Sequence, residues 1–250
     1  MKKTTYYSFI LFTIILFSTA CKNYKVEKGN GAITTKDFDL SDFDELDIHG
    51  FYEVFLTHGK TEKITVETDE NLFKFIEVYG DGNTVVLDTE DGINLQSDHG
   101  IKVYITYKKL SDISMSGAGV IKTENTLTAD GLKIKMSGAG VIDLALEAKE
   151  LEIGLSGAGS IKLSGNVNNQ ELQVSGAGSI DAYNLRSEDC IVKLSGVGSA
   201  KVFVSKNLDA SVSGIGGIKF KGNPDHVVKN VSGIGKIKNT SGDDADERSI

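Results

Sequence analysis

The sequence predicts an all-β chain wound as a parallel β-helix with coils of about 19 residues, and three observations carry that reading. First, Ser-Gly-x-Gly begins at Ser116, Ser137, Ser156, Ser175, Ser195, Ser213 and Ser232, at intervals of 21, 19, 19, 20, 18 and 19 residues, which is the fixed period of a solenoid. Second, the flanks alternate apolar and polar, as strands with one buried face do. Leu132, Ile134 and Met136 precede one motif, Leu151, Ile153 and Leu155 the next, and Cys190, Val192, Leu194 and Leu208, Ala210, Val212 later ones. The fifth residue from each serine is Ile121, Ile142, Ile161, Ile180, Ala200, Ile218 or Ile237. Third, the links lack the Asn-Gly or Asp-Gly turns at fixed offsets that seven hairpins would need. Each repeat then reads as one coil that cannot bury its apolar face alone and is completed by its neighbours. At a strand spacing of about 4.8 Å the seven coils are roughly 34 Å long.

In chain order, Lys2 and Lys3 precede a mostly apolar stretch from Tyr6 to Phe17. It is shorter than the roughly 20 residues of a membrane-spanning helix and reads as a signal peptide over residues 1–20. Ser18, Thr19 and Ala20 lead into Cys21 and resemble a lipobox, with Ser18 where leucine is preferred. Cys21 is therefore the expected lipidation site, and acyl chains on it the expected membrane anchor. Lys22, rather than aspartate, follows it, which points to an outer-membrane lipoprotein. Residues 21–31 read as a polar tether. With Cys21 lipidated only Cys190 remains, so no intrachain disulfide is available, and Cys190 falls on the apolar register as a core thiol.

A domain over residues 32–240 follows. Leu46-Ile48, Ile64-Val66 and Val103-Ile105-Tyr107 carry period-two alternation, and Asp69 to Glu77 suits a short helix, capped by Asp69, that buries Leu72, Phe73 and Ile76. This stretch reads as a less regular start to the same solenoid. Its aromatics, Phe43, Phe51, Tyr52, Phe55, Phe73 and Phe75, are expected to close the open end of the core.

In the repeats, the motif glycines keep the parity of the buried positions: Gly117, Gly119, Gly138, Gly140, Gly157, Gly159, Gly176, Gly178, Gly196, Gly198, Gly214, Gly216, Gly233 and Gly235. They read as structural turns, where the chain leaves no room for a Cβ or needs positive φ. They are not phosphate loops: the place of the third glycine in G-x-G-x-x-G holds Lys122 in one copy and Lys219 in another. Beyond Pro224 the register weakens, because Lys229 occupies a usually apolar place, and residues 241–250 read as an acidic, solvated tail.

Composition limits the function. Forty per cent hydrophobic and 25% charged residues exclude a disordered polymer, and Gly 28 against Pro 1 excludes collagen. The formal net charge of -8 becomes -10 once Lys2 and Lys3 are removed with the leader, which gives no footprint for nucleic acid.

The stretch FDELDIHGFYEVFLTHG, then ITVETDENLFKFIEV, then the serial LSGAG, VSGAG, LSGVG and VSGIG turns resemble the putative auto-transporter adhesin, head GIN domain family, a domain of unknown function common in lipoproteins and secreted proteins of Bacteroidota. The resemblance runs from about Thr35 to Lys238. It implies a right-handed parallel β-helix at the cell envelope and a role in adhesion, and it brings no catalytic residues.

Candidate chemistry is sparse. His49, His58 and His99 each precede glycine and His226 lies in a loose NPDHVV segment, so all four read as turn or surface residues, with no zinc spacing. Asp88, Glu90 and Asp91, like Asp243, Asp244, Asp246 and Glu247, form linear clusters without calcium-loop or glycosidase geometry, leaving at most weak calcium association. The seven motif serines have no repeating His/Asp partner for nucleophilic catalysis and are expected to form a hydrogen-bonded ladder or to stabilise the turns. The expectation is a non-enzymatic envelope lipoprotein without metal or cofactor, presenting a surface to a protein or glycan partner. The alternatives are a polysaccharide-active β-helix enzyme and a purely structural or signalling-associated envelope component.

Overall fold

A computed structural model describes residues 24–241. The leader with Cys21 and the acidic residues 242–250 lie outside the described residues. The repeats form a largely parallel β-solenoid with coils of about 19 residues, each strand paired with its counterpart one coil on, in register except for shifts between Lys162 and Ser164 and within Ala182–Asp189. The interior row runs Ile121, Ile142, Ile161, Ile180, Ala200, Ile218 and Ile237, and it extends backwards through Val54 and Val103. A second row places Ile48 under Met115, Met136, Leu155, Val174, Leu194 and Val212. Except at the last coil these residues are buried in one continuous core. Rows of like residues follow from the repeat: identical strand register carries identical side chains to the same depth, where each covers the apolar surface of the next.

One interior row is interrupted by a polar residue. Gln170 takes the place of Leu132 and Leu151, with Cys190 next to it. Its amide donates to Ser187 Oγ at 2.8 Å, and that hydroxyl donates to the Phe203 carbonyl at 2.7 Å. Burial pushes the Cys190 thiol far above its usual range, so it stays un-ionised inside the core.

The N-terminal third departs from a simple first coil. Strands Glu45–Ile48 and Glu53–His58 form one level, and the chain then returns as Thr84–Thr89 and Lys102–Tyr107 to stack in parallel on its outer side. The repeats continue from its other side, through Asp112–Met115 and Val120–Thr123. The outer level is covered by antiparallel strands: Ile76–Asp81 on Thr84–Thr89, Lys63–Asp69 on Lys102–Tyr107, and Ile33–Phe38 on Lys63–Asp69. Gly82, at φ +62°, allows the tight turn that makes the first of these pairs a hairpin. Antiparallel strands satisfy the open backbone edge that a parallel stack would otherwise leave.

Four expectations change accordingly. The short helix is a 3-10 segment, Glu70–Phe75, which buries Leu72 and Phe75 and leaves Phe73 half-buried. Asp69 stands at the N-cap position as expected but makes no side-chain cap bond; its carboxylate accepts from Gly31 N–H at 2.6 Å and Ser97 Oγ at 2.5 Å, tying two loops together. Phe51 is 69% exposed, whereas Tyr52 and Phe43 are buried. Lys25–Lys28, read from the sequence as tether, pairs with Ile93–Gln96 in a two-stranded sheet. At the far end the register persists beyond Pro224: His226–Val231 and Ile234–Asn239 form a final coil in register, with Lys229 on the inward row and its ammonium 4.9 Å from the Phe220 ring centre.

Candidate functional site

The Ser-Gly-x-Gly corners and the strand face beyond them form the most regular outward surface of the chain. The corners are themselves hydrogen-bonded from coil to coil. Ser156 N–H donates to Met136 O at 2.9 Å, Ala158 to Gly138 at 3.0 Å and Ser160 to Gly140 at 2.9 Å. Successive corners therefore approach too closely for a Cβ. One built at Gly157 would lie 1.9 Å from the Gly138 oxygen, and one at Gly159 2.6 Å from that of Gly140. Among the motif glycines only Gly216, at φ +148°, lies in the left-handed range. Close approach, and not positive φ, is what the other thirteen positions demand.

An eighth corner, absent from the sequence reading, heads the series. His49, Gly50, Phe51 and Tyr52 align with Ser116, Gly117, Ala118 and Gly119 through the flanking register. Tyr52 fits where glycine otherwise stands because the level beyond it has an insertion instead of a corner. Its hydroxyl donates to Asp88 O at 2.6 Å and lies 2.6 Å from Thr89 Oγ1.

This alignment brings together residues far apart in sequence. Ser116 Oγ lies 2.5 Å from His49 Nδ1, and His49 Nε2 lies 3.1 Å from Asp47 Oδ2. The three groups sit on the solvent-exposed end of the serine row, and the N–H groups of Ser116 and Ala118 are spent on Ile48 and Gly50 carbonyls. No adjacent pair of donors among residues 116–118 is therefore free to cradle an oxyanion. The arrangement orders the first rung of the row. The expected serine ladder does not form: among the described residues no motif serine hydrogen-bonds to another, and Ser195 Oγ reaches only the Val174 carbonyl, at 3.4 Å. Ser116, Ser137, Ser156 and Ser175 instead line an open groove of about 480 Å³ with Asp47, Lys135 and Gln173.

The carboxylates do not converge. They pair across coils with lysines, as in Lys135–Asp112 at 3.0 Å, Lys162–Asp143 at 3.3 Å and Lys201–Asp181 at 2.9 Å. Such exposed pairs contribute little individually, about 0–1 kcal/mol. Among the described residues no group of three or more His, Cys, Asp or Glu gathers as a metal site, and no helix is long and apolar enough to cross a membrane.

Residues 42–224 match the model of the family described as "Putative auto-transporter adhesin, head GIN domain". The fold is similar to the crystal structure of a putative adhesin from Bacteroides fragilis NCTC 9343, with 29% identity, a TM-score of 0.82 and coverage of 85% of this chain and 99% of that one. A putative adhesin from Parabacteroides merdae ATCC 43184 has 24% identity and a TM-score of 0.70, covering 86% and 98% of the two chains. A protein named as a putative lipid binding protein from Parabacteroides distasonis ATCC 8503 has 24% identity and a TM-score of 0.68, covering 86% and 99%. None of the curated proteins matches this chain.

Proposed function

The chain belongs to the putative auto-transporter adhesin, head GIN domain family, and on that footing we propose that it is a non-enzymatic outer-membrane lipoprotein whose stacked coils present a surface for adhesion or assembly. The solenoid is right-handed in this reading, the first twenty residues are a signal peptide, and Cys21 carries the acyl anchor. The single observation that carries the reading is the stack itself: coil by coil it lays outward side chains in rows, broken only by local register shifts, without gathering a reactive set among the described residues. The name of the Bacteroides fragilis relative supports adhesion, and a protein or glycan is the partner in this proposal.

The architecture suits an anchored spacer. Lys25–Lys28 packs beside Ile93–Gln96, in the insertion that joins the two strands of the outermost level. The chain following Cys21 thus enters at the covered end, and eight spacings of about 4.8 Å carry the last coil roughly 38 Å away. Polysaccharide cleavage would need two carboxylates facing each other across a cleft, and the acids here face lysines instead.

Acyl-chain labelling tests the anchor. Cys21→Ala abolishes labelling, moves the protein to the soluble fraction and removes its contribution to cell attachment. Unchanged labelling and fractionation would overturn the proposal.

A further inference from the structure

The outward face of the last three coils differs in charge from the rest of the stack. One outward row reads Lys122, Asp143, Lys162, Asp181, Lys201 in register, so that opposite charges neighbour each other from coil to coil. The alternation then stops: the same row continues Lys201, Lys219, Lys238. Like charges directly opposite on adjacent strands are destabilising, so this part of the row does not add to coil pairing as the alternating part does. Lys236 lies two residues before Lys238 on the same strand face, and Lys221 two residues after Lys219. Lys219 and Lys236 are exposed and have no carboxylate partner among the described residues, and Asp181 is already engaged by Lys201. Five lysines therefore share one end of a chain whose formal net charge is -8.

A second observation lies beside them. The middle residue of the corner is alanine in the first four repeats, Ala118, Ala139, Ala158 and Ala177, and becomes Val197, Ile215 and Ile234 in the last three. These three residues stack in register and are 57%, 55% and 77% exposed. They begin the strands that carry the lysines and share their parity, so the apolar row runs along the edge of the basic one, about 13 Å from the Lys201–Lys219–Lys238 row. Exposed aliphatic groups flanked by lysines are the chemistry of an anionic lipid surface: the side chains enter the acyl boundary while the ammonium groups meet the headgroups. A glycan partner would be better served by free aromatic faces, and here Tyr183 is engaged by Lys201 and Lys221 and Phe203 by Arg186.

We infer that the C-terminal three coils form a docking face for an anionic lipid surface, made by Val197, Ile215 and Ile234 with Lys219, Lys236 and their row. The inference stands on this geometry and does not depend on adhesion or on the Cys21 anchor. It is tested with residues 22–250, free of the leader. The crystallised Bacteroides fragilis relative, 99% covered by 85% of this chain, shows that a chain of this extent folds by itself.

Sedimentation with phosphatidylglycerol-containing vesicles is compared with phosphatidylcholine vesicles. The parent binds the anionic vesicles and releases them in high salt. Each lysine near an anionic surface is worth about fivefold, so K219E/K236E weakens partitioning by at least about 20-fold. I215S/I234S weakens it by about tenfold or more. Circular dichroism melts confirm that the variants remain folded. Equal binding by K219E/K236E and parent would overturn the proposal. Loss with the lysine variant alone, with I215S/I234S unaffected and dextran sulfate binding equally well, would assign the face to an anionic polymer and overturn the lipid reading. Binding that emerges only after residues 242–250 are deleted would place the acidic tail on the lysines, again against the proposal.

Discussion

Replacing Gly157 with alanine adds one methyl group at a corner, and the structure sets its cost. The new Cβ would stand 1.9 Å from the Gly138 oxygen and 2.6 Å from that of Ser137, both backbone atoms that cannot rotate away. Relief to ordinary contact requires the coils to part locally by more than an ångström. That motion strains the hydrogen bond from Ala158 N–H to Gly138 O, now 3.0 Å, and those on either side of it. The bond lies at a part-exposed corner, where losing it costs about 0.5–1.5 kcal/mol, and overpacking strain adds about 1–3 kcal/mol. Gly157→Ala is expected to destabilise the domain by about 1.5–4.5 kcal/mol. Gly154 is the control, three residues away in the strand Val141–Leu155, where a Cβ meets nothing within 4 Å. Gly154→Ala restricts the unfolded chain without a clash and is expected to stabilise by about 0.4–1 kcal/mol. Denaturant melts of residues 22–250 measure both. A Gly157→Ala midpoint equal to that of the parent, or equal losses at the two positions, would refute the close-approach reasoning.

Other consequences follow from the same packing. Ile161 is fully buried between Ile142 and Ile180, so Ile161→Asp costs several kcal/mol and soluble yield, while Lys162→Glu, exposed on the next position, stays within about 1 kcal/mol; tolerance of the first with loss of the second would shift the register by one residue. The Tyr107 hydroxyl is buried without a partner and burial pushes its pKa up to about 12, so Tyr107→Phe leaves thermal stability unchanged or raised by about 1 kcal/mol, and a loss above that would reveal a partner. Asp69 is held below the usual carboxylate range by the Ser97 hydroxyl first and then by the Gly31 N–H, outweighing burial. Its folded-state pKa is depressed, so its stabilisation is present above about pH 4 and is lost as pH falls through the folded value. The stability gap between parent and Asp69→Asn is therefore expected to narrow between pH 6 and pH 3, and a constant gap would contradict the assignment.

The repeats were legible because one coil maps to one period: Ile121, Ile142 and Ile161 occupy equal offsets, and equal offsets become neighbours in the stack. The N-terminal third was not, because alternation marks strands without recording their order. Nothing in Thr84–Thr89 or Lys102–Tyr107 states that they stack outside strands that precede them. The His49 corner escaped notice for a related reason. The second glycine is needed where its Cβ would meet the corner of the preceding coil, as at Gly235 against Gly216, and behind Tyr52 an insertion replaces that corner. The link from Ser116 to His49 and Asp47 depends on that hidden alignment, although the shared pattern of Ile48-His49-Gly50 and Met115-Ser116-Gly117 would have revealed it. The lysine rows were equally invisible, since Lys201, Lys219 and Lys238 become neighbours only through the coil register.

The proposed role in adhesion requires the domain to stand outside the cell on the proposed lipid anchor. Protease added to intact cells, followed by immunoblotting for an epitope within residues 24–241, tests this most directly. An adhesin's full-length signal disappears from intact cells while a periplasmic control protein survives. A domain that stays protected until the outer membrane is permeabilised would contradict the proposed role and make the chain a periplasmic component.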